Sequence, residues 1–89
     1  MTMINIEYKG CDSAEQLEDG TIKVIFRNGM TGNFWQHIFP ADCGLTVTAI
    51  INWKNGKSIQ TAMPTLTPDQ REHFLTGFTQ KEINEIFGE

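Results

Sequence analysis

Four residues could carry nucleophilic or metal chemistry: Cys11, His37, Cys43 and His73. His37 and Cys43 are six positions apart and the other two are distant, so the C-x-x-C and H-x-x-x-H spacings of metal sites do not occur. A Cys–His nucleophile pair needs only proximity in space, and Cys43 with His37, or Cys11 with His73, would qualify. The sequence marks no base, orienting group and oxyanion donor together. We therefore expect no enzyme, no metal and no cofactor.

A second set of residues suits binding: Lys23, Arg27, Trp35, His37 and Phe39. In the strand register preferred below, the first four share one face of a sheet, and Phe39 extends it. Aromatic and basic side chains dominate the energetics of protein interfaces, and the same types bind single-stranded nucleic acid. Alternatively, helices cover this face and bury Trp35. The net charge of residues 21–63 is only +3, which favours a protein partner over nucleic acid.

Acidic side chains are concentrated at both ends of the chain, and Glu72, Glu82 and Glu85 of the C-terminal part lie on predicted helices. Such carboxylates could mimic nucleic-acid phosphates toward a basic protein surface. The alternative is an ordinary solvated helix face. We count these three residues, with the aromatic and basic set, as candidate protein-binding residues.

The elements that position these residues follow from hydrophobic periodicity, which changes near Pro64. Before Pro64 apolar residues recur at every second position, which is typical of strands. The segment 10–20 is polar and predicts a connection. The predicted fold is therefore α+β, a five-stranded antiparallel meander followed by two short helices. The predicted strands are 4–9, 22–27, 30–38, 45–53 and 58–63.

Asn-Gly pairs at Asn28-Gly29 and Asn55-Gly56 predict two hairpin turns. A three-residue loop with a glycine bulge pairs Phe26 with Met30 and Ile22 with Phe34. This register places all four of these side chains in the core, whereas a one-residue slip would turn each strand over.

Capping signals predict the two helices. Thr67-Pro68-Asp69-Gln70 combines an N-cap, a first-turn proline and a capping-box glutamine, and Gly77 is a natural left-handed terminator. Thr79-Gln80-Lys81-Glu82 is a second capping box, and Gly88 is expected to end the last helix. We expect a single domain over 1–89, in which the meander occupies 1–63 and a helical cap occupies 66–88.

Length and composition exclude several classes of protein. The chain has 89 residues, of which 39 % are hydrophobic, and a net charge of −4. It is too apolar for a disordered tail, has no run long enough to span a membrane, and begins without a signal peptide. Two cysteines do not make a disulfide scaffold. We expect one small, soluble, cytoplasmic domain.

The C-terminal segment 66–88 resembles the ends of small phage and prophage proteins. The resemblance rests on Leu-Thr-Pro-Asp-Gln-Arg-Glu from Leu66, Thr-Gly-Phe-Thr from Thr76, Glu82, and Ile-Phe-Gly from Ile86. It implies a mobile-element origin, and such proteins are commonly virion components or binders that block a host enzyme or immune complex. The leading hypothesis is a non-enzymatic protein-binding module, encoded by a phage, that inhibits a host protein or immune complex by surface occlusion or charge mimicry, with a host or phage protein as its partner. The alternative is a structural or assembly protein, including a homodimer, and we expect no membrane partner.

Overall fold

Alternating apolar residues in the N-terminal half form a sheet, and the rest of the chain is helical. A computed structural model describes residues 3–87. Four strands form an antiparallel sheet in the order β1-β2-β3-β4, so the α+β class is confirmed and the predicted count of five strands is wrong. The elements are β1 (Ile4–Tyr8), β2 (Cys11–Gln16), β3 (Ile22–Arg27), β4 (Phe34–Phe39), a 3-10 turn (Ala41–Cys43), α1 (Val47–Lys54), α2 (Ile59–Ala62), α3 (Pro68–Thr76) and α4 (Gln80–Phe87).

Strand β2 occupies a central place in the sheet, within a segment predicted to be a polar connection. Its Cys11 and Ala14 are buried and lie opposite Phe26 and Val24 of the core, and helices α1 and α3 both pack on this strand. These small side chains suit a close approach of the helices to the sheet, and they account for the lack of large apolar residues in the segment. Glu15 lies opposite Lys23 on β3, and their side chains approach to 3.6 Å.

The predicted fourth strand, 45–53, is instead helix α1. The Thr46 side chain accepts a hydrogen bond from the Ala49 amide and so caps the helix. Leu45, just before the cap, and Ile50, on the fourth helical residue, are both buried, as in a hydrophobic staple. Trp53 packs edge-on against Tyr8 of β1, with ring centroids 4.7 Å apart. Capping and this tertiary packing outweigh the strand preference of the β-branched residues.

The predicted fifth strand, 58–63, contains the short helix α2. Ser58 caps it by accepting a hydrogen bond from the Thr61 amide. The Asn55-Gly56 pair, predicted to form a hairpin turn, ends helix α1 instead, and the Gly56 amide donates to the Trp53 carbonyl. Gly56 has a positive φ of 115°, and this conformation serves a helix end as well as a hairpin. The predicted meander over 1–63 therefore ends at β4.

The β3–β4 hairpin has a longer loop than predicted, over residues 28–33. Phe26 pairs with Trp35 and Ile22 with Phe39, so the predicted pairs with Met30 and Phe34 are wrong. The Asn28 side chain explains the longer loop, because its Oδ1 accepts hydrogen bonds from the amides of Met30 and Thr31. These local bonds stabilise a wide turn in place of the three-residue one.

The helices cover one face of the sheet, and the core lies between the two layers. Helix α1 packs on β1 and β2, and helix α3 packs on β2 and β3. The largest fully buried side chains include Phe26 and Phe39 from the sheet and Phe74 from α3. Strand β4 lies at the edge, beyond the helices' main contacts with the sheet.

The C-terminal end of α3 is hydrogen-bonded to two turns of the sheet. The Gly10 amide donates to the Phe74 carbonyl at 2.8 Å, and the Gly29 amide donates to the Thr76 carbonyl at 3.0 Å. These carbonyls belong to the last turn of α3, whose carbonyls have no partner within a helix. A Cβ atom on Gly10 would lie 2.7 Å from the His73 carbonyl oxygen. Only glycine permits this approach of the helix to the sheet.

The predicted caps of both C-terminal helices are confirmed. Thr67 and Gln70 form a capping box at α3, and Gly77 ends this helix with a φ of 75°. At α4 the Glu82 amide donates to Thr79 Oγ1 while the Thr79 amide donates to the Glu82 carboxylate. The predicted terminator Gly88 lies outside the described residues.

Candidate protein-binding surface

Among residues 3–87, no helix covers one face of the sheet, and we call it the open face. It is formed by Lys23, Ile25 and Arg27 of β3 and by Phe34, Gln36 and Ile38 of β4, because opposed residues of antiparallel strands point to the same side. Phe34 is 61 % exposed and Ile38 is 42 % exposed. Met30, in the loop before β4, is 81 % exposed. We call Phe34 and Ile38, with Gln36 between them, the apolar strip of the open face.

Basic side chains border this strip. The Arg27 guanidinium lies over the Phe34 ring, 5.9 Å from its centroid, in cation–π geometry. Lys23 pairs with Glu15 of β2, so its charge is partly compensated. Arg27 also lines a polar depression with Glu7, Lys9 and Asp12. Of the two predicted basic residues, Arg27 is the more available for a partner's carboxylate.

Trp35, His37 and Phe39 lie on the other face, under or beside the helices, which overturns their predicted place with Lys23 and Arg27. The Trp35 ring packs on Phe26 at 4.7 Å between centroids, and its Nε1 donates to the Gly77 carbonyl at 2.7 Å. Phe39 is completely buried. The shift in register is the cause, because it exchanges the faces assigned to β4.

A groove runs between β4 and the N-terminal end of α3, and its volume is about 650 Å³. Half-buried Trp35 and exposed His37 line it on the sheet side, while Asp69 and His73 line it on the helix side. The rings of His37 and His73 have centroids 6.5 Å apart. Trp35 and His37 thus border this groove instead of belonging to a basic patch.

His73 is the buried titratable group of this groove. Its Nδ1 is 2.7 Å from the Phe78 carbonyl oxygen, so this nitrogen carries the proton and donates. Burial lowers the pKa of His73, and the neighbouring His37 adds to the effect. The Phe78 carbonyl and the carboxylates of Asp69 and Glu72 oppose that shift. The neutral imidazole is therefore favoured, as part of the packing between α3 and β4.

The three predicted acidic residues have different environments. Glu82 caps α4, and its second carboxylate oxygen accepts a hydrogen bond from Asn28 Nδ2 at 3.0 Å. Hydrogen bonding to the Thr79 amide is the main cause that lowers the pKa of Glu82. Glu85 is exposed and Glu72 is half-buried on α3. The carboxylate of Glu82 is thus engaged within the chain, so the three residues do not offer three free carboxylates to a partner.

The two cysteines are free, and they lie in different environments. Cys11 is buried on β2, and this burial raises the pKa of its thiol to about 12. Cys43 is half-buried, and its sulfur accepts a hydrogen bond from the Leu45 amide at 3.5 Å. A thiol with so high a pKa is a weak nucleophile, so the geometry does not support Cys11 in a Cys–His pair.

Within residues 3–87, no three His, Cys, Asp or Glu side chains converge as metal ligands. Over the same part of the chain, no helix has the length and apolar character that crossing a membrane requires. Neither a protein-family model, nor a curated protein, nor a solved structure matches this chain.

Met30, Phe34 and Ile38, which are exposed, were not among the predicted binding residues. The preferred register assigned Met30 and Phe34 to the core. The signal that could have revealed them is Asn28, whose side chain commonly closes a turn over the following amides. A wider loop at Asn28 brings Trp35 opposite Phe26 and turns Phe34 outward.

Proposed function

We infer that this chain is a non-enzymatic protein-binding module that acts by covering a surface of another protein. The observation that carries this inference is the exposure of Phe34 and Ile38 on the open face, together with that of Met30 in the loop before β4. Large exposed apolar side chains rimmed by polar groups commonly mark interaction sites on proteins. Arginine is enriched among the residues that contribute most to binding energy, and Arg27 here lies over an aromatic ring.

The chemistry of the open face defines the partner it fits. An apolar patch on the partner would pack on Phe34 and Ile38, and a carboxylate at its edge would pair with Arg27. Arg27 is already held against the Phe34 ring, so little side-chain entropy is lost when it pairs. The same residues could occlude the working surface of a host protein in the cytoplasm, which fits a phage-encoded inhibitor.

Surface occlusion is better supported than charge mimicry. Mimicry of phosphates needs several free carboxylates on one surface, whereas Glu82 is engaged with Thr79 and Asn28. Glu85 remains exposed on α4, and Glu72 is half-buried on α3. The open face offers a larger and more apolar contact than these isolated charges.

The test is capture of a partner from lysate of the cells that carry the gene, with Phe34→Ser as the disabling variant. Ile86→Ser is the matched control, because Ile86 is an equally apolar residue that is 54 % exposed on α4. We expect a stoichiometric partner whose affinity falls by at least about tenfold with Phe34→Ser, as loss of an aromatic anchor predicts, and is unchanged by Ile86→Ser. Recovery of no protein other than the bait would refute the proposal, and so would equal binding by wild type and Phe34→Ser.

A further inference from the structure

Strand β4 is an edge of the sheet with an unused outer side. Beyond its pairing with β3, no backbone hydrogen bond within residues 3–87 involves residues 34–39. Helices α1 and α3 pack chiefly on the other three strands, so they leave the outer side of β4 uncovered. Such an edge is a template on which another strand can add.

The two edges of the sheet differ in the features that prevent strand addition. Strand β1 carries a register irregularity between Asn5 and Tyr8, and Glu7 and Lys9 have positive φ angles of 49° and 51°. Bulges and charged side chains are the usual protection of edge strands. In β4, all six residues pair with β3 without a shift, and its sequence Phe-Trp-Gln-His-Ile-Phe contains no Lys, Arg, Asp, Glu or Pro. Strand β4 is therefore the unprotected edge.

We propose that β4 is the site where a second copy of this chain adds in antiparallel pairing, so that two four-stranded sheets join into one two-fold symmetric sheet. The occupant follows from the self-complementary character of β4. A two-fold axis brings the central residues of the strand close to the same residues of the second copy. A charged side chain there would therefore lie near an identical charge. Because β4 carries no Asp, Glu, Lys or Arg, a second copy meets no such repulsion.

The faces of the sheet fix the register of this pairing. Residues that lie opposite each other in the joined sheet must point to the same face. The two-fold axis must therefore pass midway between one residue and the same residue of the second copy. An axis at Gln36 places Phe34 opposite Ile38 of the second copy, and Trp35 opposite its His37. An axis at His37 would set two imidazoles together and bring Pro40, which has no amide hydrogen, into the ladder. The axis therefore lies at Gln36, whose amide can both donate to and accept from its copy.

This pairing has a consequence for the open face. Phe34 and Ile38 of each copy meet across the axis, which covers part of two exposed apolar side chains. The open faces of both copies lie on the same side of the joined sheet, so their apolar strips become continuous. The inference does not rest on the protein-binding proposal, because it is argued from the free backbone edge of β4 and would hold even if the open face bound no other protein.

The test is the mass of the full chain in solution, measured by sedimentation over a dilution series, with charge variants at the axis. Gln36 is exposed, so Gln36→Lys and Gln36→Glu should fold, with an unchanged circular dichroism spectrum. Each variant alone should weaken the dimer by at least about tenfold through like-charge repulsion, and an equimolar mixture should restore it. Asn5→Lys, at an exposed position of the other edge, is the matched control and should leave the dimer intact.

Each alternative outcome has a definite meaning. A wild-type chain that stays monomeric at all concentrations would overturn the proposal, even if another protein's strand were found on β4. A dimer that resists both Gln36 variants, or that is lost with Asn5→Lys, would also overturn it. Failure of the mixed variants to associate would exclude the axis at Gln36. Loss of the lysate partner in the Phe34→Ser test changes none of these results.

Discussion

Replacing Gly10 with alanine tests how closely helix α3 is held against the sheet. An added Cβ would lie 2.7 Å from the His73 carbonyl oxygen and equally near Gly77 Cα, so the helix end must move. Overpacking of this kind costs about 1–3 kcal/mol, and losing the buried bond from the Gly10 amide to the Phe74 carbonyl costs about 1–3 kcal/mol more. The expected loss is thus about 2–6 kcal/mol, out of roughly 4–13 kcal/mol for a domain of this length.

Gly29→Ala is a closely matched control. The Gly29 amide also donates to a carbonyl of the last turn of α3, and its φ is not positive. An added Cβ there would lie 3.5 Å from the Thr76 carbonyl oxygen, which is ordinary van der Waals contact. Because alanine reduces the freedom of the unfolded chain, Gly29→Ala should be neutral or more stable by about 0.4–1 kcal/mol.

The assay is urea unfolding followed by the fluorescence of Trp35 and Trp53, which both lie in the helix–sheet contact. The midpoint should fall for Gly10→Ala and stay the same or rise for Gly29→Ala, with similar slopes. In thermal unfolding, the Gly10 variant should melt lower by roughly 4–8 °C for each kcal/mol lost. Equal stability of the two variants would show that α3 does not lie this close to the β1–β2 turn.

Three further predictions concern single side chains. Burial lowers the pKa of His73 below the value of 6.5 that it has in the unfolded chain. As the pH falls through about 6.5, the unfolded chain therefore binds the proton before the folded one does. The free energy of unfolding should decrease over this range. His73→Asn, which keeps a donor for the Phe78 carbonyl, should flatten this dependence in urea titrations between about pH 5 and 7; an unchanged slope would contradict it. Thr67→Ala should cost about 1 kcal/mol by removing the α3 cap, while Thr48→Ala on the exposed side of α1 should cost little; equal midpoints in urea would argue against the cap. Iodoacetamide at pH 8 should alkylate Cys43 well before Cys11, whose thiol has a pKa of about 12, as peptide mapping would show; faster labelling of Cys11 would exclude its burial.

The C-terminal helices could be predicted from the sequence because the residues that cap each helix are only three positions apart. Thr67 with Gln70, and Thr79 with Glu82, satisfy each other's backbone groups without help from distant parts of the chain. The same kind of signal was present at Thr46, but alternation of Val47, Ala49 and Ile51 favoured a strand. The buried contact of Trp53 with Tyr8 stabilises the helix, and the hydrophobic periodicity of the sequence gives no information about a contact between such distant residues.

The sheet was harder to predict because its decisive interactions are not local. Strand β2 has small side chains that suit the helices above it, so its sequence resembles a loop. The β3–β4 register depends on whether the Asn28 side chain bonds the loop amides, and this one choice reverses the faces of Trp35 and Phe34. Lys23 and Arg27 share one face of the sheet, but the sequence left open whether helices cover that face, and the aromatic partner of Arg27 is Phe34 and not Trp35.

The hydrogen bonds from Gly10 and Gly29 to the end of α3 also determine when folding can be completed during synthesis. All four strands leave the ribosome before α3, and the part of the apolar side that α3 covers, including Val24 and Phe26 of β3, has no helical cover until Phe74 arrives. At roughly 5–20 residues per second, this interval lasts on the order of seconds. Over that time the nascent sheet exposes its open face, the part of its apolar side that α3 covers, and the unprotected β4 edge. Binding of a chaperone, or of a neighbouring nascent chain, should therefore be concentrated in the interval that ends when the last turn of α3 reaches Gly10.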